Sequence, residues 1–163
     1  MPVKTPKDLF VLMLSDLRNG AERSHQIYDE LGKAAQEAEI KEALNAREFI
    51  TSQILGRLDE CFRLIGEKPV PRNQRLYDTF VENFREELKE IQSPVLRKMF
   101  VLSKAIRLMH LRIGEYMALI AAADTLDHPA VGVLLESCLA DKMAFAERTK
   151  ALIREHVREK VLA

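Results

Sequence analysis

The stretch SPVLRKMFVLSKAIRLMHLRIGEYMALIAAA, residues 93–123, decides the fold. Ser93-Pro94 sets a capping residue before a proline at the first helical position, where a missing N–H costs nothing. Beyond it Met99, Leu102, Ile106, Met109, Ile113, Tyr116 and Ile120 recur in alternating steps of three and four, without one polar interruption. That period lines one stripe of a long helix. A helix this apolar must be covered by others.

Working outward, Thr5-Pro6-Lys7-Asp8 repeats the cap-then-proline signal and adds an acid in the first turn. The helix it opens runs to about Ala35, with Phe10, Leu14, Leu17, Ala21, Tyr28 and Leu31 on its stripe and only Ser24 interrupting. A second helix, from near Glu37 to Gly66, carries Ile40, Leu44, Arg47, Thr51, Ile54, Leu58, Cys61 and Ile65; Pro69 and Pro71 forbid its continuation. Pro69–Arg72 is the one clear linker. It leads to a shorter helix, from about Asn73 to Ile91, expected to turn Leu76, Phe80, Phe84 and Leu88 inward. Asp127-His128-Pro129 opens the last helix, with Val131, Leu134, Leu135, Cys138, Phe145 and Leu152 facing the core. No segment reads as a strand. The expectation is an all-α fold: a ferritin-like antiparallel four-helix bundle in one domain, residues 1–163, with an additional shorter helix in the long connection.

Composition narrows the function. The chain has 163 residues, and its 25 Lys+Arg balance 25 Asp+Glu, so no net field draws phosphates or anionic lipid. No nucleic-acid or membrane partner is expected. No apolar run approaches the ~20 residues of a bilayer span, and Met1-Pro-Val-Lys-Thr lacks the apolar core of a secretory signal. A cytoplasmic location is the expectation. Cys61 and Cys138 have no CxxC partner and read as small buried hydrophobes.

Catalytic motifs are missing: there is no glycine-rich phosphate loop, metal-spaced Cys/His cluster or GxSxG elbow. Glu22-Arg-Ser-His25 sits beside the apolar stripe and reads as a solvated pair. His110 reads as a partly buried histidine bonded to a backbone or side-chain acceptor, His128 as a helix-start residue, and His156 as part of the charged C-terminal turns. The unusual residues are cationic. Arg47 takes a stripe position between Leu44 and Ile54, Arg112 lies a turn beyond Met109, and Asp141-Lys142 interrupts the last helix between Cys138 and Phe145. Two readings stand: all four snorkel to water from the core edge, or Arg47 or Arg112 forms a core ion pair with Asp141.

Order and spacing along the chain resemble the YciE/YciF family of bacterial ferritin-like proteins. The signals are Asp8-Leu9-Phe10 with Leu14-Ser15-Asp16, Ile40–Leu44, the Phe62–Pro69 helix ending, His110, Ile113, Tyr116 with the Leu119–Ala123 run, and Leu134–Leu139. The resemblance implies a homodimer and a di-iron centre. Similar proteins place a glutamate where Ala21 stands, a His-x-x-Glu-Thr pattern at Arg47–Thr51, a Glu-His-x-Glu pattern at Met109–Arg112, and a glutamate at Asp141. Here only Asp141 stays acidic, and two positions are arginines, which cannot ligate a cation. The leading expectation is therefore a non-enzymatic, cofactor-free structural or interaction protein, with a stress-related role among the options, whose core ion pair (Arg47, Arg112, Asp141) replaces the metal. The alternative is an iron or manganese protein with oxidase or peroxide-related activity at a residual site drawn from Glu22, His25, His110 and Asp141. A third reading docks an unidentified protein on the Asn73–Ile91 helix.

Overall fold

The computed structural model describes residues 3–35, 38–45 and 47–161, with side chains at 3–35, 38–44 and 50–155. Six helical stretches account for its secondary structure: α1 (Pro6–Ala35), α2 (Ala38–Asn45), α3 (Arg47–Ile65), α4 (Arg75–Glu90), α5 (Pro94–Asp124) and α6 (Pro129–Val161). There is no strand among the described residues. The expected second helix is covered by α2 and α3.

The ends follow local chemistry. Thr5 Oγ1 accepts from the Asp8 N–H at 3.1 Å, and Asp8 Oδ2 accepts in return from the N–H of Lys4 and Thr5 at 3.0 and 2.9 Å. This is a reciprocal capping box. Gly66 closes α3 at φ 70, with its N–H bonded to Arg63 O and that of Glu67 to Phe62 O. Only glycine takes that left-handed turn cheaply. Ser93 departs from expectation, since its side chain caps nothing.

α1 packs on α2, α3 and α5; α6 packs on α3 and α5; α4 lies against α1 and α5. α1 and α3 run antiparallel, as the Arg18–Asp59 and Lys7–Glu67 ion pairs show, whereas α4 runs parallel to α1, with Arg23 on Asp78 and Glu30 on Arg85. The buried side chains form two apolar clusters, one at each end. The first gathers Phe10–Ala21, Ile54–Ile65, Tyr116–Ala123 and Val131–Cys138. The second gathers Ile27–Ala35, Ile40–Leu44, Tyr77–Phe84, Val101–Met109 and Phe145–Ala146.

α4 is turned from its expected register. Tyr77, Val81 and Phe84 are buried, Phe80 and Leu88 are half-buried, and Leu76 is 58% exposed. The reason is Tyr77, an amphipathic ring whose hydroxyl finds polar partners inside. At the other end of α4, Lys104 is buried, pairs with Glu87 and stands 5.0 Å from the Phe100 ring centroid. Phe100 stacks on Phe84 at 5.7 Å. No helix among the described residues is long and apolar enough to cross a membrane.

Candidate functional site

Between the two clusters lies a polar waist. Ser24 on α1, Thr51 on α3, Arg112 on α5 and Lys142 on α6 are all buried at this level. Arg112 is its centre, with no exposed surface. Its guanidinium donates to the Leu17 carbonyl on α1, to the Glu115 carboxylate, and to the Tyr77 hydroxyl at 2.7 Å. Tyr77 Oη donates in turn to Glu115 at 3.2 Å. The Tyr77 and Tyr116 rings each lie with their centroids 5.9 Å from the guanidinium carbon, within cation–π range. One cation thus ties α1, α4 and α5 together.

The fold brings these groups together by small devices. Ser15 Oγ accepts from the Val70 N–H at 3.0 Å, Asn19 Nδ2 donates to Val70 O at 3.2 Å, and Arg72 pairs with Asp16 at 2.8 Å. The proline-bounded linker is therefore strapped along α1, which sets where α4 begins and lets Tyr77 reach inward. Gly20 leaves the room: a Cβ there would overlap both Arg112 Nη1 and Tyr77 Oη. Arg112 Nε and Tyr116 Oη have no hydrogen-bond partner among the described residues.

Electrostatics keep the charge in place. Burial opposes ionisation of Arg112, but Glu115 and the Tyr77 and Tyr116 phenols outweigh it and hold its pKa above the usual value. Burial pushes the Glu115 carboxyl above the ordinary range, against the pull of Arg112 and Tyr77. Burial pushes Tyr77 up to about 12, and Tyr116 also rises for that reason.

The residues singled out in the sequence do not converge on one site. Asp141 pairs with Arg57 at 2.6 Å, half-buried, and Arg112 pairs with Glu115, so the expected Arg112–Asp141 pair is corrected on both sides. The physical reason is proximity along the helix: Glu115 lies one turn from Arg112 and needs no second helix. The side chains of Arg47 and His156 lie outside the described residues. Snorkelling is also corrected for Arg112 and Lys142, which are buried. Glu22 is exposed and pairs with Arg18; His25 is half-buried, and the two line one shallow groove between α1 and α3. His110 is exposed rather than partly buried, with Nδ1 3.0 Å from Ile106 O. His128 precedes α6, and its carbonyl accepts from the Val131 N–H. Cys61 and Cys138 are buried.

At the positions where the resemblance implies ligands stand Ala21 and Met109, both buried, half-buried Ile50 and buried Arg112. A fixed guanidinium with apolar neighbours does not fit a di-iron centre. Among the described residues no three of His, Cys, Asp and Glu stand close enough to hold a metal ion. Sequence reasoning missed Glu115, Tyr77, Gly20 and Arg57. The i,i+3 spacing of Arg112 and Glu115 was the one available signal. Beside the knot a groove of about 420 Å³ opens, lined by Asp16, Arg72, Gln74, Leu76, Tyr77 and Glu115 among others. Both its acids are already neutralised, by Arg72 and Arg112.

Comparison with known proteins gives two results. A family model described as a domain of unknown function, DUF892, matches residues 5–162. Among solved structures, the E. coli stress protein YciF superposes with a TM-score of 0.88 at 20% identity, over 96% of this chain and 99% of that one. YcfI from Rhodopseudomonas palustris, named as a candidate structural protein, superposes at 0.84 with 22% identity, over 91% and 94%. At such identities the likeness is one of fold. No curated protein matches the sequence.

Proposed function

Because this chain belongs to the DUF892 family, whose description assigns no activity, we propose a function from its own residues: a non-enzymatic structural protein. It is a ferritin-like four-helix bundle in which the Arg112 knot stands in place of a di-metal centre. It acts as a cytoplasmic homodimer, without nucleic acid, membrane or cofactor.

One observation carries the reading, the fully buried Arg112 guanidinium among Leu17 O, Tyr77 and Glu115 at the waist. A metal centre in such a bundle joins helices by coordination and supplies positive charge to clustered acids. A guanidinium supplies the same two things permanently, as charge and as directional hydrogen bonds. It leaves no open position for substrate. Its charge also repels a cation placed nearby. The relatives named as a stress protein and a candidate structural protein are compatible with this role.

The alternative, iron or manganese at a residual site, lacks convergence: Glu22 and Asp141 are engaged by Arg18 and Arg57, and His110 is exposed. Metal analysis separates the two. Protein from iron-supplemented cells, purified without a His-tag, should carry far less than one iron or manganese per chain and show no oxo-bridge absorption. Close to two tightly held metals per chain would overturn the proposal.

A further inference from the structure

α5 carries a second stripe, on the side away from the core. Arg107, His110, Gly114, Met117, Ala121 and Asp124 follow in alternating steps of three and four, and every one is exposed. The water-facing side of a surface helix is ordinarily charged throughout. α4 obeys: Arg75, Asp78, Glu82, Arg85, Glu86 and Lys89 face out. On α5 the only charged residue from Ile113 to Ala123 is Glu115, which is turned in to Arg112. The middle of the outer stripe is thus apolar and small, with Met117 60% exposed. Leu76 of α4, 58% exposed, lines a groove with Ala118 of α5.

The ends of the stripe are opposite in charge. Arg107 and His110 lie towards the start of α5, and Asp124 closes it. Neither Arg107 nor Asp124 has an ion-pair partner within the chain among the described residues, although surface pairs are common elsewhere on it. A two-fold axis through Met117 uses both ends at once. Residues seven before and seven after it are His110 and Asp124, so antiparallel pairing sets each against the other, with Arg107 one turn beyond. Gly114 and Ala121, three before and four after Met117, then flank the axis, and small residues at the crossing let two helices approach closely. A surface that is apolar in the middle and self-complementary at its ends is what an isologous interface requires.

We propose that the outer face of α5, centred on Met117, is the surface through which two copies of this chain pair about a two-fold axis. This rests on the homodimer proposed above, and the test tells the two apart. Sedimentation equilibrium of the full chain at micromolar concentration should give a dimer. Met117→Glu should weaken it by about 100-fold or more while the far-UV spectrum and melting stay those of the parent, because the side chain is exposed. Asp124→Arg should weaken it about tenfold, and adding Arg107→Asp should recover most of that loss. Met117→Cys, oxidised with copper–phenanthroline in air, should link to itself across the axis, whereas Lys33→Cys on the outer face of α1 should not. A monomeric parent chain would overturn both this surface and the dimer. A dimer that Met117→Glu leaves intact, with no link at position 117, would overturn the surface alone.

Discussion

Gly20 and Arg112 share one space: a methyl group on the glycine would overlap the Nη1 that donates to Tyr77. Glycine in a helix interior ordinarily costs about 0.5–1 kcal/mol relative to alanine. Gly20→Ala should nevertheless destabilise, by roughly 1–3 kcal/mol, as overpacking does. Gly56→Ala is the control, since nothing stands within 4 Å of a Cβ there. It should stabilise by the ordinary half to one kcal/mol or so. Urea midpoints for the two variants decide the matter, and equal stabilisation would mean that Arg112 can move aside.

The two thiols should be inert in the folded protein. Both are fully buried, and burial pushes the Cys61 thiol up to about 12. Burial also raises Cys138, against the opposing contact with Arg57. The thiolate is the reactive form. With a chromogenic disulfide reagent at pH 8, the expected result is no release before denaturant and two equivalents after it. Fast reaction of one thiol under native conditions would show that the α3–α6 seam opens locally.

The apolar period made the helices legible. Every stripe residue named on α1 is buried, and the caps at Thr5 and Gly66 stand where sequence rules place them. The period failed where it was ambiguous. α5 carries apolar residues on more than one face, so spacing alone draws its stripe through Ile106 and Ile113, which are half-buried; the buried line runs through Leu108, Arg112 and Leu119. On α4, Tyr77 reaches inward because its hydroxyl meets Arg112, a partner 35 residues away that no local rule reveals. Charge next to an apolar stripe signalled that Arg112 mattered. Its partner was in the same helix, hidden among ordinary surface acids.

Alkaline titration should read the knot directly. Tyr77 has its pKa raised from 10.0 to about 12 by burial. A phenol whose folded pKa exceeds its unfolded one retains more protons when folded. Its contribution to stability is complete below pH 10 and is lost as pH rises towards 12. The loss amounts to roughly 2–3 kcal/mol at about 1.4 kcal/mol per unit, and Tyr116 adds to it in the same direction. Melting temperature should fall across this window, with phenolate absorbance lagging that of free tyrosine until unfolding. Tyr77→Phe should make the fall shallower. A melting temperature flat from pH 10 to 12 would show that the phenol is solvated.

The final prediction concerns the two ends of the Arg112–Glu115 pair, which are unequally buried. The arginine side chain has no exposed surface, whereas the glutamate keeps 30%. Removing one partner of a buried pair strands the other, at about 3–5 kcal/mol when that charge has no route to water. Glu115→Ala strands the guanidinium, with Leu17 O and Tyr77 Oη as its remaining oxygen partners. It should cost near the lower end of that range. Arg112→Met strands a carboxylate that can turn to solvent and still accepts from Tyr77, so its cost should be smaller, about 1–2 kcal/mol. The double variant Arg112→Met/Glu115→Leu removes both charges and should recover most of the Glu115→Ala loss, since apolar replacement of a buried pair is often neutral or stabilising. Chemical denaturation of the parent and of these three variants measures all three costs. The order of the single variants is the test: if Arg112→Met costs more than Glu115→Ala, the guanidinium's bond to the Leu17 carbonyl, rather than its pairing with Glu115, is what holds α5 against α1.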